Sequence, residues 1–180
     1  MKKKTLILII LSFPITLTVY VFLFADNIKF EEEIVINANI DSIAMILNNP
    51  SKIDNYMPGV ERYSLKEGDL GRKGAVAEIK INSEGNDIVL KETIIHNNLP
   101  NEIKISYKAD GVYNIVTHRL EVLSNNKIRL INIQEFEFNG YMKFVSFFME
   151  SALRNQSRVY LDNFKNYIET WQWYTTFCRR

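Results

Sequence analysis

The stretch Glu102–Phe138, EIKISYKADGVYNIVTHRLEVLSNNKIRLINIQEFEF, decides the fold. Three runs of alternating residues are separated by Asp110-Gly111 and Ser124-Asn125-Asn126. Period-two alternation marks strands, and Asp-Gly between two such runs marks a two-residue type I′ hairpin, whose central residues both need positive φ. With that turn, Ala109 pairs with Val112, Tyr107 with Asn114, Ile105 with Val116 and Ile103 with His118. If the next turn pairs Leu123 with Lys127, then Val122 faces Ile128, Leu120 faces Leu130, His118 faces Asn132 and Val116 faces Gln134. One face then holds Ile103, Ile105, Tyr107, Val116, Leu120, Val122, Ile128, Leu130, Phe136 and Phe138, and on it also sit Asn114, His118, Asn132 and Gln134.

Outward from this meander the same grammar continues. Val60–Lys66, Gly74–Ile81 and Ile88–His96 read as strands, separated by Glu84-Gly85-Asn86-Asp87 and similar turn clusters. On Ile88–His96, Glu92 shares a face with Ile88, Leu90 and Ile94. Ile28–Asn37 reads as the first strand, with Phe30, Ile34 and Ile36 on one face. Asp41 is placed as the N-cap of a short helix, Ser42–Leu47. A second helical piece holds Ile53, Tyr56 and Met57 before Pro58-Gly59. At the other end Met149, Leu153, Tyr160, Leu161, Phe164, Ile168 and Trp171 recur at helical spacing. A helix from about Met142 to Trp171 would span about 45 Å. The expectation is an α+β fold, a curved antiparallel sheet of about seven strands around a long C-terminal helix.

The N-terminus follows different rules. Thr5–Ala25 is a run of 21 residues without a charge, led by Lys2, Lys3 and Lys4. As a helix it would be about 31 Å long, close to the ~30 Å hydrocarbon core of a bilayer. The lysines would hold the N-terminus in the cytoplasm and send the rest across. The other reading is a cleaved signal peptide, for which Leu23-Phe24-Ala25 offers a small residue at only one cleavage position. Both place residues 26–180 outside the cytoplasm, in the periplasm or secreted if the segment is cleaved. Residues 1–25 are thus an anchor or signal segment and 26–180 one domain, without repeat or linker.

Composition removes several function classes. The 22 basic and 21 acidic residues exclude a strong basic field for nucleic acid. Two His and one Cys are too few for a convincing metal site, and no glycine-rich phosphate loop precedes a helix, so no metal or cofactor is assigned. Asn155-Gln156-Ser157 matches a glycosylation sequon, but on the expected long helix. The tail Trp171–Phe177 with Arg179-Arg180 either finishes the helix's packing or touches a membrane surface.

The segment FEEEIVINANIDSIAMILNNPSKIDNYMPGV (Phe30–Val60), the hairpin Val116–Phe138 and the long terminal helix resemble the START-like (SRPBCC) superfamily of polyketide cyclase/dehydrase and lipid-transport domains. The resemblance covers about residues 28–171 and includes an anchored bacterial arrangement. It implies the helix-grip fold and a small hydrophobic or lipid-like ligand held between sheet and helix, at the membrane. It carries no catalytic signature.

Polar groups on an apolar face cost roughly 1–3 kcal/mol each unless paired. Glu92, Tyr107, Asn114, Val116, His118, Asn132, Gln134 and Phe136 are therefore the candidate lining of a ligand cavity, while His118, Asn132 and Gln134 also admit a self-satisfied network. Glu92 with His118 is a conceivable general acid/base pair, but on non-adjacent strands, and no catalytic residue is assigned. A binding role is read ahead of a cyclase- or hydrolase-like enzyme. A cell-envelope interaction module with a filled core is the third reading, and protein partners are not indicated.

Overall fold

The computed structural model describes residues 27–83 and 85–177. The anchor or signal segment, Lys2, Lys3, Lys4 and Cys178 lie outside the described residues. The elements are β1 (Ile28–Ile36), α1 (Ile40–Leu47), a 3₁₀ turn (Pro50–Asn55), β2 (Val60–Glu67), β3 (Val76–Ser83), β4 (Asn86–Asn98), β5 (Glu102–Ala109), β6 (Val112–Ser124), β7 (Lys127–Phe138), α2 (Met142–Ser146) and α3 (Glu150–Phe177). Seven strands form one antiparallel sheet in the order β1-β7-β6-β5-β4-β3-β2. The long helix lies against its concave face. This arrangement is the helix grip.

The β5–β6 register is the expected one throughout, from Ala109↔Val112 to Ile103↔His118. In β6–β7 the pairs His118↔Asn132 and Val116↔Gln134 also hold, but the turn differs. Ser124 pairs with Lys127 and Leu123 is bulged out, so a two-residue Asn125-Asn126 turn replaces the longer one. The bulged Leu123 shifts the register by one residue and so makes up for the residue the shorter turn loses, which is why Val122 still faces Ile128. Val122 stands at the sheet's end and is exposed; the other apolar residues assigned to that face are buried or partly buried.

Two boundary expectations are corrected. The N-cap of α1 is Asn39, whose side chain accepts from the Asp41 backbone N–H at 2.8 Å, and Asp41 sits in the first turn. Asn39 has the extended backbone that a cap requires, φ −69 and ψ 141. The terminal helix is also not continuous from Met142. Hydrogen bonds from Phe148 N–H to the Val145 carbonyl and from Met149 N–H to the Ser146 carbonyl tighten the chain, and the Ser146 hydroxyl donates to the Lys143 carbonyl at 2.8 Å. These three-residue bonds end α2, and α3 starts where the apolar stripe itself starts, beside Met149.

The core lies between the concave face and α3, with Ile36, Ile79, Ile103, Leu130, Phe164 and Ile168 fully buried or nearly so. A second cluster, Phe30, Phe136 and Phe138, closes the end of the sheet where β1 begins. The convex face is latticed by ion pairs such as Arg119–Glu102 and Arg129–Glu121.

The direction of α3 follows from its contacts with β1. Arg158 Nε donates to Glu32 at 2.9 Å, and Glu169 accepts from the Asn37 backbone N–H at 2.8 Å. Five residues of strand at ~3.3 Å and eleven of helix at ~1.5 Å both come to about 16 Å. The two elements therefore run parallel and in step. The helix begins at the Ile28 end of the sheet, and its continuation to Phe177 carries the chain away from that end.

Candidate functional site

Polar residues on the concave face form two groups, one under α3 and one under β2. The first is built on β6 and β7, whose register sets His118 opposite Asn132. Asn132 is completely buried, and its Nδ2 meets His118 Nδ1 at 3.2 Å. Its Oδ1 accepts from Gln134 Nε2 at 2.8 Å and from the Ser157 hydroxyl of α3 at 3.2 Å. Gln134 Oε1 in turn accepts from Asn114 Nδ2 at 2.9 Å. This chain satisfies its buried members except at one end, where Asn114 Oδ1 is buried without a partner. With Asn132 donating to Nδ1, the His118 proton belongs on Nε2. Burial lowers the His118 pKa to about 4, and its ring stacks on Tyr160 at 5.8 Å. His118 is thus a neutral, structurally engaged imidazole.

The second group centres on Glu92 of β4, which is 1 % exposed. Register places it between Ala77 of β3 and Tyr107 of β5. The Tyr63 hydroxyl donates to Glu92 Oε1 at 3.0 Å, whereas Glu92 Oε2 has no hydrogen-bond partner. Burial raises the carboxyl above its ordinary range, opposed by the Tyr63 hydrogen bond and by the neighbouring Tyr107 hydroxyl. Burial also pushes the hydroxyls of Tyr56, Tyr63, Tyr107 and Tyr160 upward, so all four stay protonated and can donate. An acid held in an apolar setting with one oxygen unengaged is costly in a filled core.

The surroundings are aromatic. Tyr56 packs against Phe164 at 5.0 Å and Tyr160 at 5.7 Å, nearly perpendicular in both cases. Tyr63, Leu90, Tyr107 and Tyr160 belong to the same core yet are only partly buried. These side chains flank Glu92 on the inward face of the sheet and under α3. A separate recess of about 600 Å³ lies outside the sheet–helix space, lined by residues including Asn48, Arg72, Lys73 and Asn97. There Asn97 already bonds Asn48 and the Gly71 carbonyl.

The family signature spans the domain: residues 27–169 match the family described as polyketide cyclase/dehydrase and lipid transport. The chain belongs to that family. Solved structures with this fold include the Zhui aromatase/cyclase from Streptomyces sp. R1128, at 14% identity and a TM-score of 0.69, covering 80% of this chain and 94% of that one. Major latex-like protein 151 from Panax ginseng is 13% identical with a TM-score of 0.54, covering 73% and 97%. A protein from Rhizobium leguminosarum is 15% identical with a TM-score of 0.63, covering 81% and 96%. At such identities the likeness is one of fold. No curated protein sequence matches significantly.

Within this polyketide cyclase/dehydrase and lipid transport domain, the residues singled out from sequence fall into distinct places. Asn114, His118, Asn132 and Gln134 are joined in one network, and Glu92 with Tyr107 forms the other. Val116 is buried in the sheet face, and Phe136 stacks between Phe30 and Phe138 at the sheet's end. Glu92 and His118 are not brought together: β5 intervenes, so their strands are roughly 9–10 Å apart. Sequence reasoning missed Tyr63, Ser157, Tyr160 and Glu32. Tyr63 is hidden by a bulge between Val60 and Arg62 that shifts the parity of β2. Glu32 alternates in step with Phe30 and Ile34, a readable signal, and meets Arg154 and Arg158 of α3.

Proposed function

We propose that this domain binds a small hydrophobic molecule carrying one hydroxyl, with its apolar body between β2–β5 and α3 and its hydroxyl at Glu92. The observation that carries this reading is the unengaged Glu92 Oε2, buried beside Tyr63 and Tyr107 in an apolar interior. A hydroxyl can donate to the ionised carboxylate or accept from the protonated acid, so it suits either state. Apolar burial, at ~25 cal/mol per Å², supplies the affinity, and Asn114 Oδ1 offers a second unengaged acceptor. The aromatase/cyclase and latex-like structures share the fold, and the family description includes both cyclisation and lipid transport. Binding is read ahead of catalysis because, among the described residues, the polar groups beside Glu92 are the protonated hydroxyls of Tyr63 and Tyr107. We further propose that residues 5–25 anchor the chain, so that a lipid or isoprenoid-like ligand is taken from or presented at a bilayer.

The test is native mass spectrometry of the full chain purified from membranes, with titration by the neutral apolar probe N-phenyl-1-naphthylamine. Expected are a co-purifying lipid-like mass, or saturable probe binding that Glu92→Leu weakens at least tenfold. Absence of both a co-purifying molecule and saturable probe binding refutes the proposal.

A further inference from the structure

The segment Tyr141–Phe148 carries an apolar surface that no other described residue covers. Tyr141, Phe147 and Phe148 are 70%, 62% and 72% exposed, and Phe144 and Val145 are also exposed. The rings form one cluster: Phe147 and Phe148 have centroids 5.1 Å apart, and Phe144 and Phe148 6.3 Å. A soluble domain seldom leaves contiguous aromatic surface in water unless something binds it. Aromatic side chains on a short helix suit the interfacial zone of a bilayer.

The place of this cluster in the fold identifies what covers it. Met142, inside the segment, and Met149, directly after it, pack with Ile28 on the Phe30, Phe136 and Phe138 cluster. Ile28 is where the chain enters the domain, and only Asp26 and Asn27 separate it from the uncharged run ending at Ala25. Three residue steps of at most ~3.6 Å keep the start of β1 within about 11 Å of that run. The aromatic cluster and the point where the apolar run joins the domain therefore lie at one end of the molecule. The opposite end, where α3 carries the aromatic tail, faces away.

We infer that Tyr141–Phe148 is a bilayer-contacting surface, its aromatic rings inserting into the interface of the same membrane that holds residues 5–25. The inference rests on the anchor reading of that run. It sets the orientation of the domain: the β5–β6 turn, α2 and the N-terminal end of α3 face the lipid, and the β6–β7 turn points away. Lys143 is the one charged residue within Tyr141–Phe148, so contact comes from apolar insertion and is insensitive to salt.

The experiment uses the full chain carrying Cys178→Ser, reconstituted in phosphatidylcholine vesicles. An environment-sensitive fluorophore is placed at Phe148→Cys, and at exposed Val122→Cys at the far end as the comparison. Resistance to alkaline carbonate reports separately on the anchor. The expected result is blue-shifted emission at position 148, quenched at least threefold more strongly by nitroxide-labelled lipid than at 122. A water-like probe at 148 in carbonate-resistant protein overturns the inference and leaves the anchor standing. Carbonate release with position 148 still quenched defeats the anchor and supports the aromatic contact, whereas release without quenching defeats both. A blue shift that depends on protein concentration but not on lipid quencher assigns the surface to a second copy and overturns the bilayer contact.

Discussion

Lowering the pH should destabilise this domain through His118, by an amount the structure allows to be worked out. The imidazole is 3% exposed, accepts from Asn132 at Nδ1 and stacks on Tyr160. Its folded pKa is about 4 against an ordinary 6.5. The folded pKa is depressed, so the unfolded chain binds the proton first. The stabilising contribution is complete above pH 6.5 and is lost as pH falls toward 4. Over that window the linkage integrates to roughly 3 kcal/mol, with about 2.5 kcal/mol already lost at pH 4.5. Urea unfolding of the full chain in detergent, followed by circular dichroism from pH 7.5 to 4.5, measures the loss. Other groups titrate in the same range, so the reading is the difference from His118→Asn. That variant keeps an acceptor for Asn132 and cannot charge. It should be less stable than the wild type at pH 7.5, because the ring no longer fills the space beside Tyr160, and the gap should narrow by about 2–3 kcal/mol at pH 4.5. Parallel stability curves for the two proteins, or a His118 ring that titrates near pH 6.5 by NMR, would refute the reasoning.

Glu92→Gln should give the opposite pH signature. Because burial raises the Glu92 pKa, the wild type loses stability as pH rises above 4.5, and the ligand-free variant should gain at least about 1 kcal/mol on it by pH 8; equal thermal midpoints at pH 4.5 and 8 would contradict this. Glu32→Gln removes the ion pairs that hold α3 to β1, chiefly the Arg158 hydrogen bond that lowers the Glu32 pKa. The loss should be about 1 kcal/mol after allowing for the exposure of Arg158, present at neutral pH and fading as the wild-type carboxyl protonates below pH 4.5; chemical denaturation at pH 7 and pH 3.5 tests it. Phe164→Ala empties a fully buried site against Tyr56 and Tyr160 and should cost about 3–5 kcal/mol in the same assay. A loss under 1 kcal/mol would mean that the aromatic centre collapses freely.

Much of the architecture was legible because the strands are joined by short turns. Asp110-Gly111 alone sets four cross-strand pairs, and period two carries them along β5, β6 and β7. The long helix was legible as a stripe, but its start was not: α2, with Met142, Phe144 and Val145, looks like an extension of α3 until Ser146 and the three-residue hydrogen bonds are seen. The candidate site was half legible. Asn114, His118, Asn132 and Gln134 share a face by parity, so their meeting follows from the register. Glu92 and Tyr107 were found by the same rule, but Tyr63 was not, because one bulge reverses which side of β2 faces inward.

The sequence by itself determined the order of elements, the antiparallel pairing, the polar residues on an apolar face and the uncharged run before β1. These are local properties of spacing, turn chemistry and charge, set by neighbours a few residues apart. Only the tertiary structure decided which polar groups satisfy one another and which oxygen of Glu92 has no partner. It also brought the exposed rings of Tyr141–Phe148 to the end of the sheet where the chain enters. Those outcomes depend on how α3 lies across the sheet, running parallel to β1 and tied to it at Glu32 and Asn37. Contacts between residues more than a hundred positions apart are set by three-dimensional packing, and no period in the chain encodes them.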